Sequence, residues 1–288
     1  NGALIGEGNL GMSLFGRLSD AVSCCVILVA TCLVGLTLVS NASAQSYDNP
    51  TLGQNPVVGH PQDYKPLGIR AGTFMLHPGV ELAAEYNDNI LYTQENTISD
   101  LVYHVRPYVT AQSTWSRHSF GIRAAADIAR YSDNDFRDYE DYFLQASGHV
   151  DVSSRSQFSY GLDYMDLHEE RNVRSAEQGI GPTRYTLTGG NIGYDHTFNR
   201  LSVGLAYSLR DLSYDNSRRA DGSIIDNSDR DSRSQSYSAR LGYQLRSDKQ
   251  IFAQAGWNDT EYDQELDRNE YNRDSRGRNA IAGIDFDI

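Results

Sequence analysis

Ser119-Phe120-Gly121-Ile122-Arg123-Ala124-Ala125-Ala126-Asp127-Ile128-Ala129 carries the fold in its parity. Phe120, Ile122, Ala124, Ala126 and Ile128 make one set; Gly121, Arg123, Ala125, Asp127 and Ala129 make the other. On a helix the two charges would share a stripe with apolar neighbours, whereas on a strand alternate side chains separate cleanly to opposite faces. The stretch therefore predicts a strand with one apolar and one polar face.

The same alternation returns along the chain. Tyr142, Leu144, Ala146, Gly148, Val150 and Val152 oppose Gln145, Ser147, His149 and Asp151. Leu201, Val203, Leu205, Tyr207 and Leu209 oppose Ser202, Gly204, Ser208 and Arg210, and Tyr237, Ala239, Leu241, Tyr243 and Leu245 oppose Ser238, Arg240, Gly242 and Gln244. About ten such segments follow, near 73–86, 101–115, 119–131, 140–152, 157–168, 184–198, 201–214, 234–245, 250–262 and 278–288. Around Gly189-Gly190 the apolar parity slips, from Tyr185 and Leu187 to Ile192 and Tyr194, which predicts a bulge.

The connections decide between β architectures. Tight polar turns at 116–118, 153–156, 199–200 and 246–249 alternate with longer polar segments at 87–100, 132–139, 169–183, 215–233 and 263–276. A soluble sandwich has no reason to alternate so, while a transmembrane barrel has short turns on one side and long loops on the other. A sandwich would also fill its apolar face with large residues, and here that face is often Ala or Gly. The expected fold is thus all-β: an antiparallel transmembrane β-barrel over 73–288 with about ten strands visible. Tyr86, Tyr103, Tyr131, Tyr142, Tyr214, Tyr237 and Tyr262 fall near strand ends and predict an interfacial girdle.

The N-terminus addresses the chain. Arg17 precedes an apolar run over 21–39 that ends in Asn41-Ala42-Ser43-Ala44, the order of a secretory signal with cleavage after Ala44. Residues 1–44 are accordingly read as signal, and 45–72, rich in Asn, Pro, Gly and Gln, as an extended periplasmic segment or partial plug. All three cysteines (Cys24, Cys25 and Cys32) lie in the signal, so the rest of the chain has neither a disulfide framework nor a cysteine zinc site. A net charge of −13 argues against nucleic acid as a partner. The expected location is the outer membrane of a Gram-negative cell, reached through the periplasm, with outer-membrane lipid and lipopolysaccharide as surroundings.

The run Val80-Glu81-Leu82-Ala83-Ala84-Glu85-Tyr86-Asn87-Asp88-Asn89-Ile90 resembles the opening of the β-barrel porin family associated with exopolysaccharide secretion. In that family a first strand ends in a Tyr-Asp/Asn-Asp-Asn-apolar run, matched here by Tyr86, Asn87, Asp88 and Asn89. The resemblance implies an outer-membrane component that assists secretion of polysaccharide, working beside periplasmic export components. Family members are longer, and many such barrels end on an aromatic residue where this chain has Asp285-Phe286-Asp287-Ile288, so the resemblance also implies a fragment of a wider barrel.

Parity assigns the candidate lumen residues. Glu81, Glu85, His104, Arg106, Tyr108 and Arg123 belong to the polar face, as do Asp127, His149, Asp163, Asp195, Arg210, Arg240 and Asp285. They suggest a path for a hydrated solute or glycan, with Tyr108 as a sugar-stacking platform. The competing reading is a structural or adhesive surface barrel whose interior ion pairs fill the lumen, because about ten strands lie close to the eight at which side chains fill a barrel. A third reading is a surface hydrolase, with Asp133-Asn134-Asp135 and Asp166-Leu167-His168 at the rim. The Asp-rich loops lack any calcium-loop spacing. No catalytic residue, metal or cofactor is assigned, and the leading expectation is a non-enzymatic barrel.

Overall fold

The computed structural model describes residues 67–169 and 179–286. The signal over 1–44 and the segment 45–66 fall outside them.

The strands are β1 (Ile69–Ala71), β2 (Phe74–Asn87), β3 (Asp100–Ser113), β4 (Ser119–Tyr131), β5 (Tyr139–Ser153), β6 (Ser156–Glu169), β7 (Thr183–Phe198), β8 (Leu201–Tyr214), β9 (Ser217–Arg218), β10 (Ile224–Ile225), β11 (Ser232–Arg246), β12 (Lys249–Tyr262) and β13 (Ser275–Phe286). β1 lies inside the stretch read as extended segment and pairs antiparallel with β2. Eleven strands form one antiparallel meander in the order β1-β2-β3-β4-β5-β6-β7-β8-β11-β12-β13, with β1 and β13 as its two edges. β9 and β10 make a small hairpin inside the loop between β8 and β11. The ten long strands run 12 to 16 residues, beyond the roughly 9–11 that cross a bilayer when tilted.

The register joins the faces of successive strands. Leu82 faces Val105, Ile122 faces Ala146, Leu162 faces Gly190, Tyr207 faces Ile192 and Tyr237, and Leu241 faces Ala253. This apolar face has nothing over it: Leu82 is 72%, Leu162 64% and Leu241 53% exposed. Among the described residues the buried apolar side chains are only Ile90, Val102, Ala126, Ala129 and Ile225. A sandwich of this size would bury far more, so the apolar face is built to meet lipid rather than a second sheet.

Two expectations need correction. Pairing of β7 runs without a break on both sides, from Tyr185 to His196 and beyond, so Gly189-Gly190 makes no bulge. The parity slip is real but has another cause: Tyr185 and Leu187 sit on the polar face near the loop end, opposite Tyr214 and Leu212. The tyrosine girdle splits likewise. Tyr86, Tyr103, Tyr142 and Tyr237 lie on the apolar face, whereas Tyr131, Tyr214 and Tyr262 pair with Val102, Tyr185 and Ser232 on the polar one. Position along a strand located these rings; parity, not strand end, decides which face they serve.

Candidate functional site: the polar face

The register puts Glu81, Arg106 and Asp127 in one row, and their side chains meet. The Arg106 guanidinium donates to Glu81 at 2.8 Å and lies 3.0 Å from Asp127, whose other oxygen is 3.0 Å from His104 Nδ1. Next along the row Asp127 faces Asp141 directly. Two like charges so placed repel, and each is answered by a histidine. His168 Nδ1 lies 2.9 Å from both Asp141 oxygens, and its ring stacks on Tyr139 at 3.7 Å, with the His104 ring edge-on to Tyr139 at 6.3 Å. Both histidine side chains are 7% exposed. Toward the turn end Arg123 lies over the Phe143 ring, His149 accepts from or donates to Ser119 at 2.6 Å, and Arg240 bridges to Asp285 at 3.0 Å while lying over Phe252.

A second pattern is less visible in the sequence. Several polar side chains face a glycine on the next strand and lie flat across it. Asp163 faces Gly189, Asn191 faces Gly161, Asp195 faces Gly204 and Tyr108 faces Gly79. At each of these glycines a Cβ would collide with the partner's side chain. The missing Cβ lets the polar group rest against the wall instead of standing across the interior. Tyr108, expected as a sugar platform, is thus folded down onto Gly79. Asp163 is held there with Oδ2 buried and without a hydrogen-bond partner.

The loop end is ordered by its own polar chemistry. Asp100 caps the β4–β5 loop, accepting from the backbone of Ser132, Asp133 and Asn134. The family-like run builds the first loop. Asn87 Oδ1 accepts from the Asn89 backbone, and the Asn89 side chain exchanges hydrogen bonds with the Thr93 backbone, which leaves Ile90 buried at 1% exposure. Arg230, between β10 and β11, forks onto Glu169 at 2.5 and 3.0 Å and lies 3.7 Å above the Tyr214 ring. Beside it Arg268 forks onto Asp229 at 2.7 and 2.9 Å and holds that carboxyl down at about 2. Arg273 covers Tyr262 at 4.5 Å. Of the hydrolase residues, Asp166 pairs with Arg184 at 2.9 Å on the apolar side of the rim, while His168 turns to Asp141. Among the described residues no cluster of His, Cys, Asp or Glu suits a metal ion.

On the apolar face the ion pairs among the described residues gather at the loop end, while Lys249 lies over Phe286 at the turn end. Arg130 pairs with Glu140, Arg184 with Asp166, Arg233 with Asp211 and Arg276 with Asp259. Strands longer than a bilayer needs would lift these pairs clear of hydrocarbon.

Residues 60–288 match the family described as "Putative beta-barrel porin 2". The chain belongs to this family. Membership makes the sheet that of a β-barrel of porin type, and it points to the outer membrane. Among solved structures the chain is similar to the copper transporter OprC, at 12% identity and a TM-score of 0.39 over 73% of this chain. It is also similar to the Pseudomonas putida toluene transporter TodX, at 11% identity and a TM-score of 0.27 over 75% of this chain. The alignment takes in 37% of OprC and 66% of TodX, so this barrel chain spans well under half of the first of them. A search of curated proteins returns no match.

Proposed function

We propose that this porin-family chain, exported by its signal over 1–44, is a non-enzymatic outer-membrane barrel that passes a hydrated solute, an exopolysaccharide chain, along its polar face. The observation that carries this reading is the glycine-backed placement of Asp163, Asn191 and Asp195. Side chains laid against the wall keep an interior wet and open, which a merely structural barrel has no need to do. In this reading Glu81, Glu85, Arg106, Arg123, Asp127, His149, Asp163, Asp195, Arg210 and Arg240 line the lumen. The apolar face contacts outer-membrane lipid, and the loop-end ion pairs contact lipopolysaccharide.

The filled-barrel reading has its own support in the row Glu81–Arg106–Asp127–His104, whose charges satisfy one another along the wall of three neighbouring strands. Conductance separates the two. Reconstituted into a planar bilayer, the chain should give discrete ion-conducting steps, and Arg210→Glu should shift its cation-to-anion preference toward cations. A bilayer that stays silent although the protein has inserted would favour the filled barrel.

A further inference from the structure

The polar face is not uniform from end to end. Its middle is polar and glycine-backed, but its loop end carries aromatic rings: Tyr131, Tyr139, Tyr185, Tyr214 and Tyr262, from five different strands, are all half-buried there. Tyr185 and Tyr214 face each other across β7 and β8 with ring centroids 5.3 Å apart. In a wet interior an exposed ring gains nothing from water, so a partly open collar of rings implies a partner with an apolar face.

Three of the five rings are held in place by a cationic or imidazole side chain. His168 stacks on Tyr139, Arg230 lies over Tyr214 and Arg273 over Tyr262. Arg230 is itself fixed by Glu169, and both side chains are at most 10% exposed. A ring supported from one side loses little rotamer freedom when something binds its exposed part. The polar groups that hold the rings are already paired, Asp141 with His168 and Glu169 with Arg230, but the Glu85 carboxylate stands exposed at the same end of the polar face, opposite Val102, which in turn faces Tyr131. Flat C–H surface edged by hydroxyls is the chemistry that fits half-exposed aromatic rings with a carboxylate beside them. That is the chemistry of a pyranose ring.

We propose that this loop-end collar is a carbohydrate-binding site that engages pyranose units at the outer mouth, before or after they pass the polar middle. The inference rests on the lumen reading of the polar face, and it moves the sugar contact from Tyr108 to Tyr185 and Tyr214. Cellohexaose, a neutral chain, and hexagalacturonate, an acidic one, serve as probes. Binding is read by calorimetry on the detergent-solubilised chain and by current interruptions in the bilayer. At least one probe should bind saturably and interrupt the current more often from the loop side than from the turn side. Tyr185→Ala and Tyr214→Ala should each weaken binding about tenfold. Tyr185→Phe and Tyr214→Phe, which keep the ring and with it the packing, should stay near the parent, as should Tyr237→Ala on the apolar face. An open channel that binds neither probe overturns the collar and leaves the channel reading intact. Saturable binding without conductance overturns the channel reading and leaves the collar. Binding that survives both alanine variants overturns the collar as its location.

Discussion

The two faces of the same ten strands answer to different solvents, and they are written in different ways. The apolar face accepts Ala, Leu, Ile, Val, Tyr or Trp almost interchangeably, and its side chains touch few partners. The polar face is specific residue by residue: Arg106 needs both Glu81 and Asp127, His168 needs Asp141, and Asp163 needs the glycine at 189. Lipid asks only that a surface be apolar, so that face is redundant in detail. A lumen must leave space as well as satisfy charge, so there each position constrains its neighbour.

The largest effect should come from exchanging the solvents. Leu205 lies at the middle of β8 on the apolar face, and Ser238, on the adjacent strand, lies on the polar one. Leu205→Arg should cost about 2–4 kcal/mol, the price of a guanidinium near the bilayer midplane. Ser238→Arg should leave stability nearly unchanged and alter conductance instead. Urea titration of folding into lipid vesicles checks both. Equal costs at the two positions would erase the distinction between the faces.

A smaller effect should follow from breaking one contact on the specific face. Arg106→Ala removes the cation between Glu81 and Asp127, and leaves the Asp127 side chain, 14% exposed, with only His104. A charged hydrogen bond lost in such a place costs about 2 kcal/mol. Val105→Ala, one residue away on the apolar face, makes no such contact and should cost less in the same titration.

How much of this could be read in advance follows the same divide. The apolar face, the strand limits and the alternation of short turns with long loops need only one strand at a time, so Phe120 to Ile128 already contained the pattern. Pairings needed the register, which no single strand reveals. Asp127 and Asp141 both carried inward parity, but only alignment of β4 with β5 sets them opposite and explains the two histidines. The flattening of Asp163 on Gly189 had a signal, since Gly161, Gly189, Gly193 and Gly204 all share the inward parity of polar residues. What hid it was the expectation that a glycine pair marks a bulge. The link from Arg230 to Glu169 spans 61 residues and starts in a loop with no periodicity, and nothing local announces it.

The finest test concerns that glycine. Gly189→Ala places a Cβ where the Asp163 carboxylate now lies, and the carboxylate must swing away from the wall into the interior. Alanine suits a strand better than glycine by about 0.5–1 kcal/mol, which offsets part of the strain, so the net stability change should be small. Conductance should nevertheless fall, because the displaced carboxylate occupies the path. The double variant Gly189→Ala with Asp163→Ala removes the obstacle and should restore it, a coupling that a double-mutant cycle reads directly. If glycine served only the backbone, the two changes would act independently. Unchanged conductance in Gly189→Ala would reduce the specificity of the polar face to charge pairing alone, with space left out of it.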